Sequence, residues 1–221
     1  MKVLLTSLVV LACLFVISCS KNSSGPNPGS GKNSIFPLTQ GDTWYYVDSS
    51  FNDTAVTTPR YSFYLDTMTV TKETYTDGSG TVYLGVNNPN GWFVGSFISV
   101  APDNSAINEV DSPYYSPYTF FAVPQQDAQV LGTGSSPSNN LACPYNIVQY
   151  GYVTPVVINT FSCLTNVEYT TDCNNVPQDE IISYVAPGTG VVRIEHYVPD
   201  SAQGGPLHIE YTQTLTSAVL K

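Results

Sequence analysis

Leu207-His208-Ile209-Glu210-Tyr211-Thr212-Gln213-Thr214-Leu215-Thr216 alternates apolar or aromatic positions with polar ones along its length. A period of two sets Leu207, Ile209, Tyr211, Gln213 and Leu215 on one face, which makes the segment a half-buried strand. The preceding run, Val191 to Val198, buries Val192 and Ile194 by the same parity. Pairing Ile194 with Ile209 joins the two apolar faces and places Arg193 opposite Glu210 and Glu195 opposite His208, whereas a slip of two residues sets Glu195 against Glu210. Charge matching therefore selects the first register. It makes His208 a surface residue beside a carboxylate and leaves His196 near a strand end. No motif places a serine or cysteine nucleophile beside either ring, so no catalytic role is read for them.

The same strand character extends upstream. Thr43 to Val47 and Arg60 to Tyr75 are rich in Tyr, Thr, Val and Phe, and Thr76-Asp77-Gly78-Ser79-Gly80 separates the second run from Thr81 to Val86, a hairpin signal. Gly91 to Ala101 and Ala106 to Val110 flank Pro102-Asp103-Asn104, a second hairpin. Between 111 and 145 five prolines interrupt short aromatic runs, which reads as loops with one strand at Tyr118 to Val123. Strands resume at Tyr145. With 16 Gly, 16 Pro, 16 Tyr and only 11% charged residues in 221, the composition suits turns and strands rather than helices. The expectation is all-β: a strongly curved antiparallel sheet or open β-barrel of about 9–11 strands, one domain over 35–221 with a Pro-rich insertion near 111–145.

The amino terminus reads as an address. Met1-Lys2, the apolar run Val3 to Ile17 and Val16-Ile17-Ser18-Cys19 form a signal peptide over 1–18 ending in a small-residue cleavage site. The last four residues resemble the lipobox of bacterial lipoproteins, which implies a lipidated Cys19. Val10-Leu11-Ala12-Cys13 has the same pattern, but cleavage there leaves Leu14 to Ile17 as an apolar start. Residues 20–34, SKNSSGPNPGSGKNS, contain nothing to bury and read as a flexible tether, so 19–34 comprises anchor and linker. Seven Lys and Arg against 17 Asp and Glu give a net charge of −10, which excludes electrostatically driven nucleic-acid binding.

Removing Cys13 and Cys19 leaves Cys143, Cys163 and Cys173, an odd number for an oxidising compartment. Cys163 shares parity with Val167 and Tyr169 and reads as a buried thiol. Cys143 and Cys173 fall in loop and turn sequence and are the expected disulfide pair.

Three motifs occur in order: Phe36-Pro37-Leu38-Thr39-Gln40-Gly41-Asp42-Thr43-Trp44-Tyr45-Tyr46, Thr160-Phe161-Ser162-Cys163-Leu164, and Tyr184-Val185-Ala186-Pro187-Gly188-Thr189-Gly190-Val191-Val192. They resemble a group of exported bacterial domains that are often lipoproteins of Gram-negative bacteria. The resemblance implies a fold similar to the open, strongly curved sheet of the outer-membrane lipoprotein carriers, and lipid anchoring at the outer membrane or cell surface. It carries over no functional residue.

Motifs for chemistry are absent: there is no Gly-rich phosphate loop, His-Glu-x-x-His, Gly-x-Ser-x-Gly or calcium-loop spacing. From Glu73 to Val192 there is no Lys or Arg, so this stretch offers no side-chain cation to stabilise developing negative charge. No catalytic residue, cofactor or metal is expected, and carboxylates such as Asp66, Glu73, Glu109 and Asp111 read as solvated acids. Asp53-Thr54-Ala55, Asp66-Thr67-Met68 and Asp200-Ser201-Ala202 resemble O-glycosylation acceptors at Thr54, Thr67 and Ser201. The expected role is a membrane-anchored, non-enzymatic envelope module that binds an apolar or aromatic-stacking ligand or acts as a scaffold for an envelope protein. Trp44, Tyr46 and Trp92 are the aromatic candidates. The alternative is a glycan-binding or glycan-hydrolysing surface protein in which Trp44 or Trp92 stacks on sugar rings.

Overall fold

A computed structural model describes residues 34–51, 61–89, 96–110, 117–136, 145–172, 174–199 and 206–221. The twelve strands are β1 (Thr43–Phe51), β2 (Tyr61–Thr76), β3 (Val82–Asn87), β4 (Phe97–Val100), β5 (Ala106–Val110), β6 (Tyr118–Ala122), β7 (Gln129–Ser136), β8 (Tyr145–Ile158), β9 (Phe161–Thr171), β10 (Pro177–Ala186), β11 (Gly190–Pro199) and β12 (Leu207–Val219). They form one all-antiparallel sheet in the order β6-β5-β4-β3-β2-β1-β12-β11-β10-β9-β8-β7. Each strand pairs with its sequence neighbour except across β6 and β7, and β1 pairs with β12. The result is an up-and-down meander curled into a nearly closed barrel. Register shifts in β1–β12, β10–β11, β11–β12, β8–β9 and other pairs supply local bends that help a sheet to curl.

The strand count exceeds the expected 9–11 because β7 lies within the Pro-rich stretch. Its Gly132 and Gly134 and its few apolar residues hide it from pattern reading, yet it pairs along its length with β8. Asp127, in the β6–β7 connection, helps to hold the seam by accepting from the Val153 and Thr154 amides at 2.7 Å each. Gln149 Nε2 crosses the seam to donate to the Phe120 carbonyl at 3.2 Å.

The β11–β12 register also differs. Ile194 faces Gln213 and Tyr197 faces Ile209, with a shift between His196 and Tyr197. The parity of β12 is as expected, with Gln213 and Leu215 buried. Its alignment is not, because β1 packs on the other edge and sets Leu215 against Tyr46 and Gln213 against Asp48. Arg193 accordingly pairs with Glu195 on its own strand at 2.7 Å, not with Glu210. It is His196 that lies between carboxylates, 2.9 Å from Asp179 and 3.2 Å from Glu210, while His208 packs edge-on against Phe51.

The first and third motifs lock one end of the barrel. Gly188, with φ +78°, turns the chain so that its amide donates to the Ser34 carbonyl at 2.6 Å. Trp44 Nε1 donates to the Thr189 carbonyl at 2.7 Å and the Tyr46 hydroxyl to the Val191 carbonyl at 3.0 Å. Phe36 lies with its ring centroid 5.0 Å from that of Trp44 and fills the space over Gly190.

Candidate functional site

Strand alternation turns one face of every strand into the barrel, and the inward residues fall into two levels. At the end sealed by Phe36 the layer is apolar: Trp44, Met68, Val70, Val86, Ile98, Val100, Ile107, Phe121, Val185, Val192 and Leu215 are buried together. Toward the other end the same strands turn polar side chains inward. Asp48, Asp66, Asn88, Ser96, Glu109, Asn166, Ser183 and Gln213 are buried, and no Lys or Arg is buried among the described residues.

Withdrawing a carboxylate from water costs several kcal/mol unless partners replace the lost hydration. Asn88 donates to Asp66, Ser96 donates to Glu109 at 2.5 Å, and Gln213 Nε2 lies 3.5 Å from both Asp48 and Asp66. Burial holds the Asp48 carboxyl up at about 6, with the Tyr211 hydroxyl bond and Gln213 opposing this and the Asp66 charge adding to it. Burial likewise raises Glu168, helped by Asp179. Asp66 and Glu109 are thus corrected from solvated surface acids to interior ones. Their parity carried the signal: Asp66 shares its face with Met68 and Val70, and Asp48 shares its face with Trp44 and Tyr46.

The second feature opens at the apolar end. β3 and β4 pair at Leu84–Ile98 and Gly85–Phe97, the Val86 amide donates to the Ser96 carbonyl at 2.9 Å, and toward Val82 and Val100 the pairing stops. The gap leads into a cleft of about 610 Å³ lined by Leu38, Val82, Leu84, Ile98, Val100 and Pro102, with Ser79, Thr81 and Ser99 among the polar lining. Small-molecule sites span about 300–1,000 Å³ and are mostly apolar with a few polar groups. Val82 stands exposed at the rim, and Leu38 ties the lining to the chain's entry segment.

Trp44 and Tyr46 are corrected as ligand contacts. They are 0% and 1% exposed, and the polar atom of each is spent on a main-chain carbonyl, so both are core residues. Trp92, Cys19, Cys143, Cys173, Thr54 and Ser201 lie outside the described residues. Thr67 is half-buried in β2, opposite Tyr45. Cys163 is a buried free thiol, and burial raises its pKa. An exposed row does exist, Tyr61, Phe63 and Leu65 of β2, but by parity it faces outward while Asp48 and Asp66 face inward. Stacking rings and paired carboxylates therefore occupy opposite faces of the sheet. Among the described residues no three His, Cys, Asp or Glu side chains group as a metal centre.

No protein-family model and no curated protein matches the chain. Two solved structures are similar to it. One is a candidate exported protein with a YmcC-like fold from Bacteroides fragilis, with TM-score 0.42 and 12% identity, covering 83% of this chain and 98% of that one. The other is a candidate lipoprotein from Parabacteroides distasonis, with TM-score 0.39 and 14% identity, covering 85% and 99%.

Proposed function

We propose that the protein is an exported, lipid-anchored, non-enzymatic binding module of the bacterial envelope that takes a single apolar chain or small aromatic molecule into the cleft between β3 and β4. The observation that carries this reading is the divergence of those strands over an apolar opening of about 610 Å³. The apolar lining and the exposed Val82 beside it are costly to leave in contact with water and are complemented by an apolar guest.

The anchor supports the same reading. Leu38 lines the cleft and lies four residues beyond Ser34, where the tether meets the barrel. Fifteen residues of Gly/Ser/Pro-rich composition have a root-mean-square reach of roughly 20 Å. Lipidation at Cys19 would thus hold the cleft end within a short distance of a bilayer, a source of apolar chains.

Titration of the mature protein with a fluorescent long-chain fatty acid tests the reading. Saturable one-site binding is expected, weakened roughly tenfold by Val82→Asp, since one valine contact is worth about 1.5 kcal/mol. Val82 is exposed, so the variant keeps the fold. Absence of saturable binding, or equal binding by the variant, would contradict it.

A further inference from the structure

We propose that the cavity between β6 and the wall formed by β8, β9 and β10 is a binding site for one neutral sugar unit, which enters by one edge beside Tyr118. The site lies apart from the β3–β4 cleft and does not rest on its function. β6 and β7 stand at the two ends of the sheet order, and Gln149 Nε2, donating to the Phe120 carbonyl at 3.2 Å, spans the junction where the barrel closes. Beside that bond lies a cavity of about 120 Å³ whose lining includes Tyr118, Phe120, Gln149, Asn166, Glu168 and Ser183. Register brings the polar wall together: Asn166 pairs with Ser183, and Glu168 pairs with Gln149 and Ile181. Alternate residues of three neighbouring strands thus present one face to the cavity.

Asn166 carries the inference. It is 2% exposed, and neither its Oδ1 nor its Nδ2 has a hydrogen-bond partner. Buried amides are rarely left so, and this one offers both donor hydrogens and an acceptor oxygen. Its complement is a ligand whose groups donate and accept together. Hydroxyls do both, whereas a carboxylate or phosphate only accepts and an ammonium only donates. Charge narrows the class further. Every lining residue falls between Glu73 and Val192, a stretch without Lys or Arg, and the half-buried Glu168 adds a carboxyl, so an anion finds no counter-charge. The Phe120 ring is buried and the Tyr118 ring is 45% exposed, which gives the apolar face of a sugar ring aromatic surface to lie against. A volume of about 120 Å³ holds roughly four waters at about 30 Å³ each, less than a whole hexose. One hydroxyl-bearing edge therefore enters while the rest of the ring stays at the mouth by Tyr118.

An NMR titration of the mature protein with glucose, galactose, mannose and N-acetylglucosamine tests the site. At least one is expected to bind saturably at one site per chain, with the Kd of roughly 1–10 mM that a ligand of about twelve non-hydrogen atoms reaches at ordinary efficiency. Glucuronate is expected to bind at least about tenfold more weakly than glucose, because the lining repels its charge. Asn166→Leu removes the amide at nearly constant volume. It is expected to keep at least the wild-type Tm, since an unpartnered amide does not stabilise the fold, and to weaken sugar binding at least about tenfold. Tyr118→Ala, at the exposed mouth, is expected to fold and to weaken binding roughly fivefold. Asp103→Asn, at an exposed turn, is expected to bind as wild type does. The proposal is overturned if no neutral sugar binds saturably, which would leave the cavity to water. It is equally overturned if Asn166→Leu binds as wild type does or, where that variant does not fold, if Tyr118→Ala does. Binding of glucosamine alone would mean that Glu168 captures an ammonium group and would also overturn it.

Discussion

Replacing Gly190 with alanine is expected to lower stability by about 4 kcal/mol and to drop Tm by about 10 °C. Two effects add. Gly190 has φ +98°, a backbone region that costs an L-residue about 1–2 kcal/mol. A Cβ built there lies 2.0 Å from Phe36 Cδ2, so the ring must leave the pocket beside Trp44, and displacing a buried phenylalanine costs about 3–5 kcal/mol. Phe36→Ala alone costs a similar amount, but it vacates the space that the new methyl needs. The double variant is therefore expected to be more stable than the sum of the two single losses implies, by about 1–2 kcal/mol. Circular-dichroism melts of the four proteins measure the coupling. Strict additivity, or a Gly190→Ala protein within 2–3 °C of wild type, would show that the ring does not occupy this position.

Asp48→Asn is expected to stabilise the protein at neutral pH by up to about 3 kcal/mol. The folded carboxyl is raised from 3.8 to about 6, mainly by burial, so the native state holds a proton that the unfolded chain has already released. Between those values folding takes up a proton. The contribution of this carboxyl to stability is then full below about 3.8 and is lost as pH rises to about 6, above which the charged carboxylate faces Asp66 and Tyr46. The asparagine amide carries no charge to set beside Asp66. Urea titrations of both proteins across pH 4–8 should show a fall in stability between about pH 4 and 6 for wild type that is much reduced in the variant. A variant less stable than wild type at pH 7.5 would mean that the carboxylate is better compensated than its surroundings indicate.

Strand alternation is legible outside β7, and parity alone assigns the inward face of β12 and the burial of Cys163. Register was not, because cross-strand charge pairs are worth only tenths of a kcal/mol to about 1 kcal/mol, less than burying Leu215 beside Tyr46. The Arg193–Glu210 pairing was chosen on charge while the neighbouring strand β1 decided the outcome. Trp44 and Tyr46 fail as ligand contacts for a related reason: Trp44 shares parity with Tyr46 and lies at the start of the strand next to the Phe36 plug, so its size serves the core. The cleft had no local signal, since it arises from two strands that stop pairing and from Leu38, some sixty residues away from Ile98 in sequence. The interior acids are readable in principle, since Asp66-x-Met68-x-Val70 puts a carboxylate in an apolar row, but residue type alone points to the surface.

The most direct measurement is native mass spectrometry of the protein extracted from cells in mild detergent. A one-to-one adduct of an apolar molecule is expected on the wild-type chain and is expected to be depleted in Val82→Asp. A wild-type chain that carries no adduct apart from the acyl chains proposed at Cys19, under conditions where known lipid-binding proteins keep theirs, would contradict a ligand-binding role for the cleft.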